Sequence, residues 1–578
     1  MHFNLKRVLP LFFLSILLYA SPSLKDLSQD KYWQILGHYK NNISEVDSPN
    51  FFLAKDGKYS PYKELNATIY YLTHPKYKDD NSTYCRFPAR REWIRKKIPN
   101  LKIIPQNCKS LNEQLDAIKD IKSVTLVFPT ILMNSPASMF GHTLLRLDDK
   151  NGDLLNSFAI NYAAQTNETN GLIYAFKGLT GGYIGKYAVV PYYKKISEYN
   201  DIKNRDIWEY KLNLTPQEIQ RLKLHLFEIK DTWSKYYYFN KNCSYEILWL
   251  LESARPSLNI VYKFNYKALP IDTIKEANNE NLIESEYFRP SQKKIILYYF
   301  NKIKNKKLAL EFIKTYDTSL LNNVSPQQQA YILDFGTKML RYEYLSKKID
   351  REKYLKKYIF LLKKRASLPM EKEIYIKPPQ NPIFSHDSNK IWIYAKKNDL
   401  IFGFKPAFHN IDDTNRGFIP GAYIDFFITE FSTKKLRYFY FFDIKSFTPR
   451  DEVFKPISWG VSLGTERFKD NELYFSLKPY AALTYKYKQF LYSFNLGLEE
   501  YLKNINYFGE NLGFYLEGNF KKTKTVIDIK RHFFDFKTYN SAKIIEIFSI
   551  KRNFSINIGY QKDINENFFF AGFSLYFL

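Results

Sequence analysis

The sequence predicts a multidomain chain, α+β in its first two thirds and all-β at its end, closing in an antiparallel β-barrel expected in the outer membrane. Three observations predict this. First, residues 1–20 read as a signal peptide: Lys6 and Arg7 form a basic start, Val8–Leu18 an apolar stretch, and cleavage fits between Ala20 and Ser23. Second, helical periodicity alternates with short β-branched runs up to residue 367, after which Pro369, Pro378, Pro379 and Pro382 mark a linker. Third, from about 389 the period changes to two. Phe554, Ile556, Ile558 and Tyr560 alternate with Ser555, Asn557 and Gly559, and Leu512, Phe514 and Leu516 alternate with Gly513, Tyr515 and Glu517. About eleven or twelve such segments follow one another. The last, ending Gly572–Leu578, resembles a barrel-assembly signal.

The resulting partition is a signal peptide (1–20), an N-terminal α+β region (21–120), a central domain (121–260), a helical region (261–367), a linker (368–388) and the barrel (389–578). The apolar stretch of the signal contains no cysteine, which argues against an acylated N-terminus. No later run of about 18 apolar residues predicts a transmembrane helix. The net charge of +27 comes from lysines spread along the chain, which suits a solvated surface or anionic headgroups better than a nucleic-acid module. The export signal also disfavours nucleic acid as a partner. Aromatic residues make up 18% of the chain, much of it towards the C-terminal end, and this abundance favours a membrane barrel.

The chain has three cysteines. In an exported protein Cys85 and Cys108 can pair, and closing that loop is worth about 3 kcal/mol on the chain-entropy model. Cys243 is left over and is either a reactive thiol or a buried, inert core cysteine.

The stretch around Cys243 is the most informative. Ile247, Leu248, Trp249, Leu250 and Leu251 predict a buried helix, and Asn242 is a good N-cap, so Cys243 falls in the first turn. Unpaired N–H groups and the positive end of the helix dipole predict a lowered thiol pKa and a place for an oxyanion. His142, in Ser138–Leu147, is the candidate base. Ser123–Phe128 reads as a strand, 134–138 as a loop, the His142 segment as a second strand ending near Leu147, and Asp148–Asp153 as a hairpin turn. Leu154–Ile160 returns. If Leu147 pairs with Leu154, then Asn156, Ser157 or Asn161 comes within reach of the imidazole as an orienting residue. Periodicity leaves the three open, because a slip of one residue reverses the faces. Arg146, on the face of His142, is either a holder of a substrate phosphate or carboxylate or half of a structural ion pair.

The glycine-rich segment Lys177–Lys186 lacks the spacing of a phosphate loop and reads as a groove-lining loop or a turn, with Gly181 and Gly182 as candidate substrate contacts. Ser138 and Asn242 are further candidates. Thr215-Pro216 opens a helix running towards Trp233, on which His225 reads as structural. Ser48–Pro61 reads as loop and short strand, and Glu64–Thr73 is rich in β-branched and aromatic residues. No cofactor or metal is expected.

Four segments occur together and in order: Ser138-Met139-Phe140-Gly141-His142-Thr143-Leu144-Leu145-Arg146, Leu179–Tyr183, Asn204–Tyr210 and Asn242–Tyr245. Together they resemble the N-terminal periplasmic domain of Lnb-type bacterial lipoprotein N-acyltransferases, which is similar to circularly permuted papain-like (NlpC-like) thiol enzymes. In that permuted order the histidine precedes the cysteine helix, as here. The resemblance implies a permuted papain-like fold over 121–260, Cys243 as nucleophile and His142 as base. It implies a cysteine-dependent enzyme acting on membrane lipid or lipoprotein by acyl transfer. Peptidoglycan amide hydrolysis is the alternative, and a non-catalytic barrel protein with a binding domain is a third reading. The chain departs from the acyltransferases in lacking predicted transmembrane helices after the thiol domain. A barrel would instead anchor it facing the periplasm.

Overall fold

The computed structural model describes residues 23–133, 139–168, 170–369 and 374–578. The signal peptide and Ser138 lie outside the described residues. Two compact units share the chain: one takes the described residues up to Lys119 with 220–234 and 249–257, the other 120–219, 235–248 and 258–578.

The first unit is helical. Glu64–Thr73 belongs to a helix, Pro61–Thr73, in which Pro61 opens the first turn and Ser60 accepts from the Lys63 N–H. Leu65 and Leu72 from it meet Trp33, Trp93 and Ile94 in the core. Between Ser48 and Pro61 the chain makes two short 3₁₀ turns rather than the strand its sequence suggested. Burial sets the chemistry here: Arg90 and Glu64 pair at 2.7 Å, each side chain 1% exposed. Cys85 and Cys108 form a disulfide. His225 is wholly buried, its Nε2 3.0 Å from Nε2 of His38.

The second unit contains a seven-stranded sheet of β1 (Ile121–Pro129), β2 (Leu144–Asp149), β3 (Phe158–Ala164), β4 (Tyr183–Pro191), β5 (Ile207–Leu212), β6 (Trp233–Tyr236) and β7 (Ile283–Arg289), in the order β6-β4-β3-β2-β1-β5-β7. Leu147 pairs with Phe158, not with Leu154, so the hairpin register differs by four residues from the expected one. Residues 150–157 are spent in a polar loop where Asp149 and Asp153 accept backbone N–H groups. Residues 283–289, expected to be helical, form an edge strand on β5. Around them lie the helices Pro270–Asn279, Gln292–Lys302, Lys306–Thr315, Pro326–Leu345 and Arg351–Ala366. The last four pack Phe300, Phe312, Phe335, Leu340 and Leu361 into their own core.

From Asn389 the chain forms an antiparallel sheet of thirteen strands. Asn389–Lys396 pairs with the last strand, Asn567–Phe577, and Asp399–Lys405 pairs with Ala422–Ser432. These pairings close a barrel of twelve strands, with the three-residue strand Ala407–His409 outside the ring. Its wall exposes Leu483, Phe494, Leu496, Leu498, Leu512 and Ile558, while Lys390, Asp425, Glu499, Glu517 and Lys524 are buried inside. Apolar outside and charged inside is the pattern a lipid bilayer selects, because closure leaves no backbone edge unpaired in hydrocarbon. The segment 410–421 crosses the lumen: Asp413 contacts Lys390, Lys405, Lys524 and Tyr576, which belong to different strands.

Candidate active site

Cys243 is the first residue of the helix Cys243–Ala254 and is buried. The Asn242 side chain caps that helix. Its Oδ1 accepts from the N–H groups of Ser244 and Tyr245 at 3.0 and 3.2 Å, and its Nδ2 donates to the carbonyls of Tyr238 and Ala268, both at 2.8 Å. All its polar atoms are occupied in holding the turn, so Asn242 positions the thiol.

His142 lies just before β2 rather than inside a strand. Its N–H donates to the Pro129 carbonyl at 3.3 Å. Gly141 makes the approach possible with φ +90°, and a Cβ there would lie 2.8 Å from the Phe128 ring. The next N–H, that of Thr143, hydrogen-bonds to the sulfur of Cys243. The hairpin and the helix start are thereby joined, 100 residues apart in sequence.

Of the three orienting candidates, the fold brings Asn161 to the imidazole, with Oδ1 2.7 Å from His142 Nε2. An amide oxygen accepts, so the ring proton sits on Nε2 and Nδ1 keeps its lone pair. Asn156 is held in the exposed loop by Asp153 at 3.2 Å. The Ser157 hydroxyl donates to Asp148 at 3.0 Å. The four-residue register difference is the reason, since it moves both towards the hairpin turn.

Arg146 is not brought to His142. Its guanidinium is gripped by Asp148 and by Glu209, the latter at 2.6 Å, and its head lies 4.9 Å from the Tyr192 ring centroid. Gly181 has φ +75° at the end of the helix Gly171–Thr180, and the Gly182 N–H donates to the Lys177 carbonyl at 2.7 Å. Both glycines terminate that helix, which takes in Leu179 and Thr180, residues expected in a loop.

The electrostatics differ from the expectation for a helix N-terminus. Burial raises the Cys243 thiol pKa above its ordinary value, against the lowering by the Thr143 and Ser244 N–H groups, the charge of Arg205 and the Tyr236 hydroxyl. Burial likewise pushes His142 down to about 3, opposed by the Asn161 bond and assisted by Arg205 and Lys195. Both shifts favour the neutral forms, a thiol at Cys243 and an imidazole at His142.

Three neighbours escaped the sequence reading. Tyr236 places its hydroxyl against both the sulfur and the N–H of Cys243. Tyr199 covers the imidazole, with ring centroids 5.5 Å apart. Arg205 donates through Nε to the Thr130 carbonyl at 2.5 Å and through Nη2 to the Pro129 carbonyl at 2.6 Å. Burial lowers its pKa to about 10, opposed by the charges of Tyr199 and Cys243. Arg205 stood in a quoted motif, but nothing in its spacing marked it as buried.

The loops bearing the two central residues also meet the barrel. Phe140 and Phe239 lie 5.5 and 5.2 Å from Phe426 by ring centroid, and Phe140 lies 5.8 Å from Phe408. His386, His409 and Asp413 have potential ligand atoms within 4.8 Å of one another. Lys390 and Lys405 already share that carboxylate, so the group fits a closed ion-pair network better than a cation site.

Residues 111–280 match the Lnb N-terminal periplasmic domain. Residues 25–97, 287–375 and 379–564 match three further families, each described as a domain of unknown function. No match to a curated protein was found. Among solved structures, the outer membrane phospholipase A from Escherichia coli is similar at 10% identity, over 33% of this chain and 90% of that one, with a TM-score of 0.20. A periplasmic domain on a closed barrel with an apolar outer wall anchors the chain in the outer membrane, facing the periplasm.

Proposed function

Since residues 111–280 belong to the Lnb N-terminal periplasmic domain family, we propose that the chain is a cysteine-dependent acyltransferase of the cell envelope, working on a lipid or lipoprotein. Cys243 is the nucleophile and His142 the base. The observation that carries the reading is the hydrogen bond from the Thr143 N–H to the Cys243 sulfur, with His142, the residue before Thr143, held at Nε2 by Asn161.

The steps follow from that arrangement. As sulfur attacks an ester carbonyl, the S–H proton passes to Nδ1 of His142, and the imidazolium is steadied by Asn161. The oxyanion forms where the Tyr236 hydroxyl now meets the Cys243 N–H, and both groups are donors. The carbon–oxygen bond of the ester breaks, the leaving alkoxide takes the proton from His142, and a thioester remains on Cys243. An amine or water attacks the thioester, loses its proton to His142, and the thiolate departs and is reprotonated. The neutral resting pair suits this sequence, because charge appears only once substrate has displaced water from a buried site.

The test is mass spectrometry of the Cys243 peptide from protein recovered from cell envelopes. A fatty-acyl mass removed by neutral hydroxylamine, and absent in Cys243→Ala, is expected. A muropeptide mass in its place would make the chain an amide hydrolase. No adduct on a thiol inert to small electrophiles would leave a binding protein.

A further inference from the structure

A cavity of about 590 Å³ lies between the sheet of the thiol domain and the periplasmic turns of the barrel, within the second unit. Its walls are apolar, drawn from Phe128, Trp208, Ile271, Leu297, Phe408 and Leu491. Its charged lining is unbalanced: five cations (Arg205, Lys293, Lys294, Lys486, Lys488) face two carboxylates, Asp206 and Asp451, a surplus of three. The two carboxylates are spoken for, Asp206 by Lys294 at 2.7 Å and Asp451 by Lys293 at 3.7 Å. Arg205, Lys486 and Lys488 have no carboxylate partner among the described residues.

Arg205 is the telling one. It is 1% exposed, and Nη1 has no hydrogen-bond partner among the described residues. The charge of Glu198 and the Tyr199 ring, 5.2 Å away by centroid, offset part of its burial, but a buried guanidinium nitrogen without an acceptor is a place an anionic oxygen would fill. Lys486 is the penultimate residue of the strand Leu473–Tyr487 and Lys488 begins the turn after it; Leu483, Tyr485 and Tyr487 of that strand are all exposed. Tyrosines there mark the boundary between hydrocarbon and headgroups, the height at which lipid phosphates lie.

We propose that this cavity binds an anionic glycerophospholipid of the inner leaflet, its acyl chain against Phe128, Trp208 and Leu297 and its phosphate on Arg205, Lys486 and Lys488. The site names the substrate class of the proposed acyl transfer and rests on that reading only for its purpose, since binding itself needs no chemistry. Arg205 links the two places: it lines the cavity, and its charge acts on the Cys243 thiol.

The experiment uses full-length protein in an uncharged detergent, with lipid retention read by native mass spectrometry. Phosphatidylglycerol should be retained at least tenfold better than phosphatidylcholine. Lys486→Gln with Lys488→Gln, both exposed side chains at the end of one barrel hairpin, should remove most of that preference. Leu297→Trp, which fills the cavity, should weaken both lipids. Equal retention of the two lipids, or an unchanged preference in the double variant, overturns the proposal. Complete displacement of phosphatidylglycerol by millimolar inorganic phosphate would show a phosphate site without a chain site, and also overturns it. Cys243→Ala should bind as the wild type does. Retention in Cys243→Ala with no adduct in the wild type would defeat the catalytic reading and leave the lipid site standing; an adduct without retention would do the reverse.

Discussion

Oδ1 of Asn161 stands 2.7 Å from Nε2 of His142, which leaves Nδ1 as the ring nitrogen with the lone pair. One amide, on the strand beside the histidine hairpin, thus decides which nitrogen can take a proton. The proposed chemistry needs this division of roles between the two nitrogens, and Asn161 on β3 supplies a neutral partner for it.

Replacing that amide should separate orientation from reactivity. Asn161→Leu should slow acylation of Cys243 about tenfold, the worth of one positioning hydrogen bond of roughly 1.4 kcal/mol. Asn161→Asp should restore the rate and move its pH dependence upward, because a carboxylate favours the imidazolium. An Asn161→Leu protein that reacts at the wild-type rate with an unmoved pH profile would remove Asn161 from the mechanism.

The neutral resting pair has a pH signature. The thiol pKa is raised by burial and that of the imidazole is lowered to about 3, so thiolate appears only as pH climbs above the ordinary cysteine range. Alkylation of Cys243 by a small uncharged electrophile should therefore keep rising beyond pH 8.5, with no plateau between 4 and 7. A plateau in that window would reveal a preformed thiolate–imidazolium pair.

Arg146 should behave as structure. With Asp148 and Glu209 both buried around it, Arg146→Met leaves two carboxylates short of their strongest partner. The expected loss is about 3 kcal/mol, seen as a lower unfolding midpoint of the soluble part. The alkylation profile of the folded remainder should not change. Unchanged stability with altered substrate dependence would return Arg146 to the substrate site.

The disulfide belongs to the first unit and closes a sequence separation of 23 residues. Cys85→Ser with Cys108→Ser should lower the stability of that unit by about 3 kcal/mol on the loop-entropy model. Proteolysis within residues 23–119 should accelerate, and the barrel should keep its resistance. Equal sensitivity of the double variant and the wild type would show that the helical core alone suffices.

Much of this molecule was written in local patterns. The period of two from 389 onward, the apolar alternation and the final aromatic strand sufficed for a closed barrel, because a bilayer reads each strand one side chain at a time. The same holds for the helix start: Asn242 caps where a short polar side chain can reach the next two N–H groups, which is a matter of adjacent residues. Long-range facts were different. The hairpin register depended on how many residues the polar loop 150–157 would spend on its own hydrogen bonds, and that choice separated Asn161 from Asn156 and Ser157. The sign of the thiol shift depended on burial, which no helix-start rule contains, and desolvation outweighed the N–H groups. Arg205 is an ordinary cation in the sequence. Only the packing of β1, the approach to β5 and the mouth of the barrel around it made it a buried charge with an open valence, because desolvation is a property of the assembled surroundings and not of the residue.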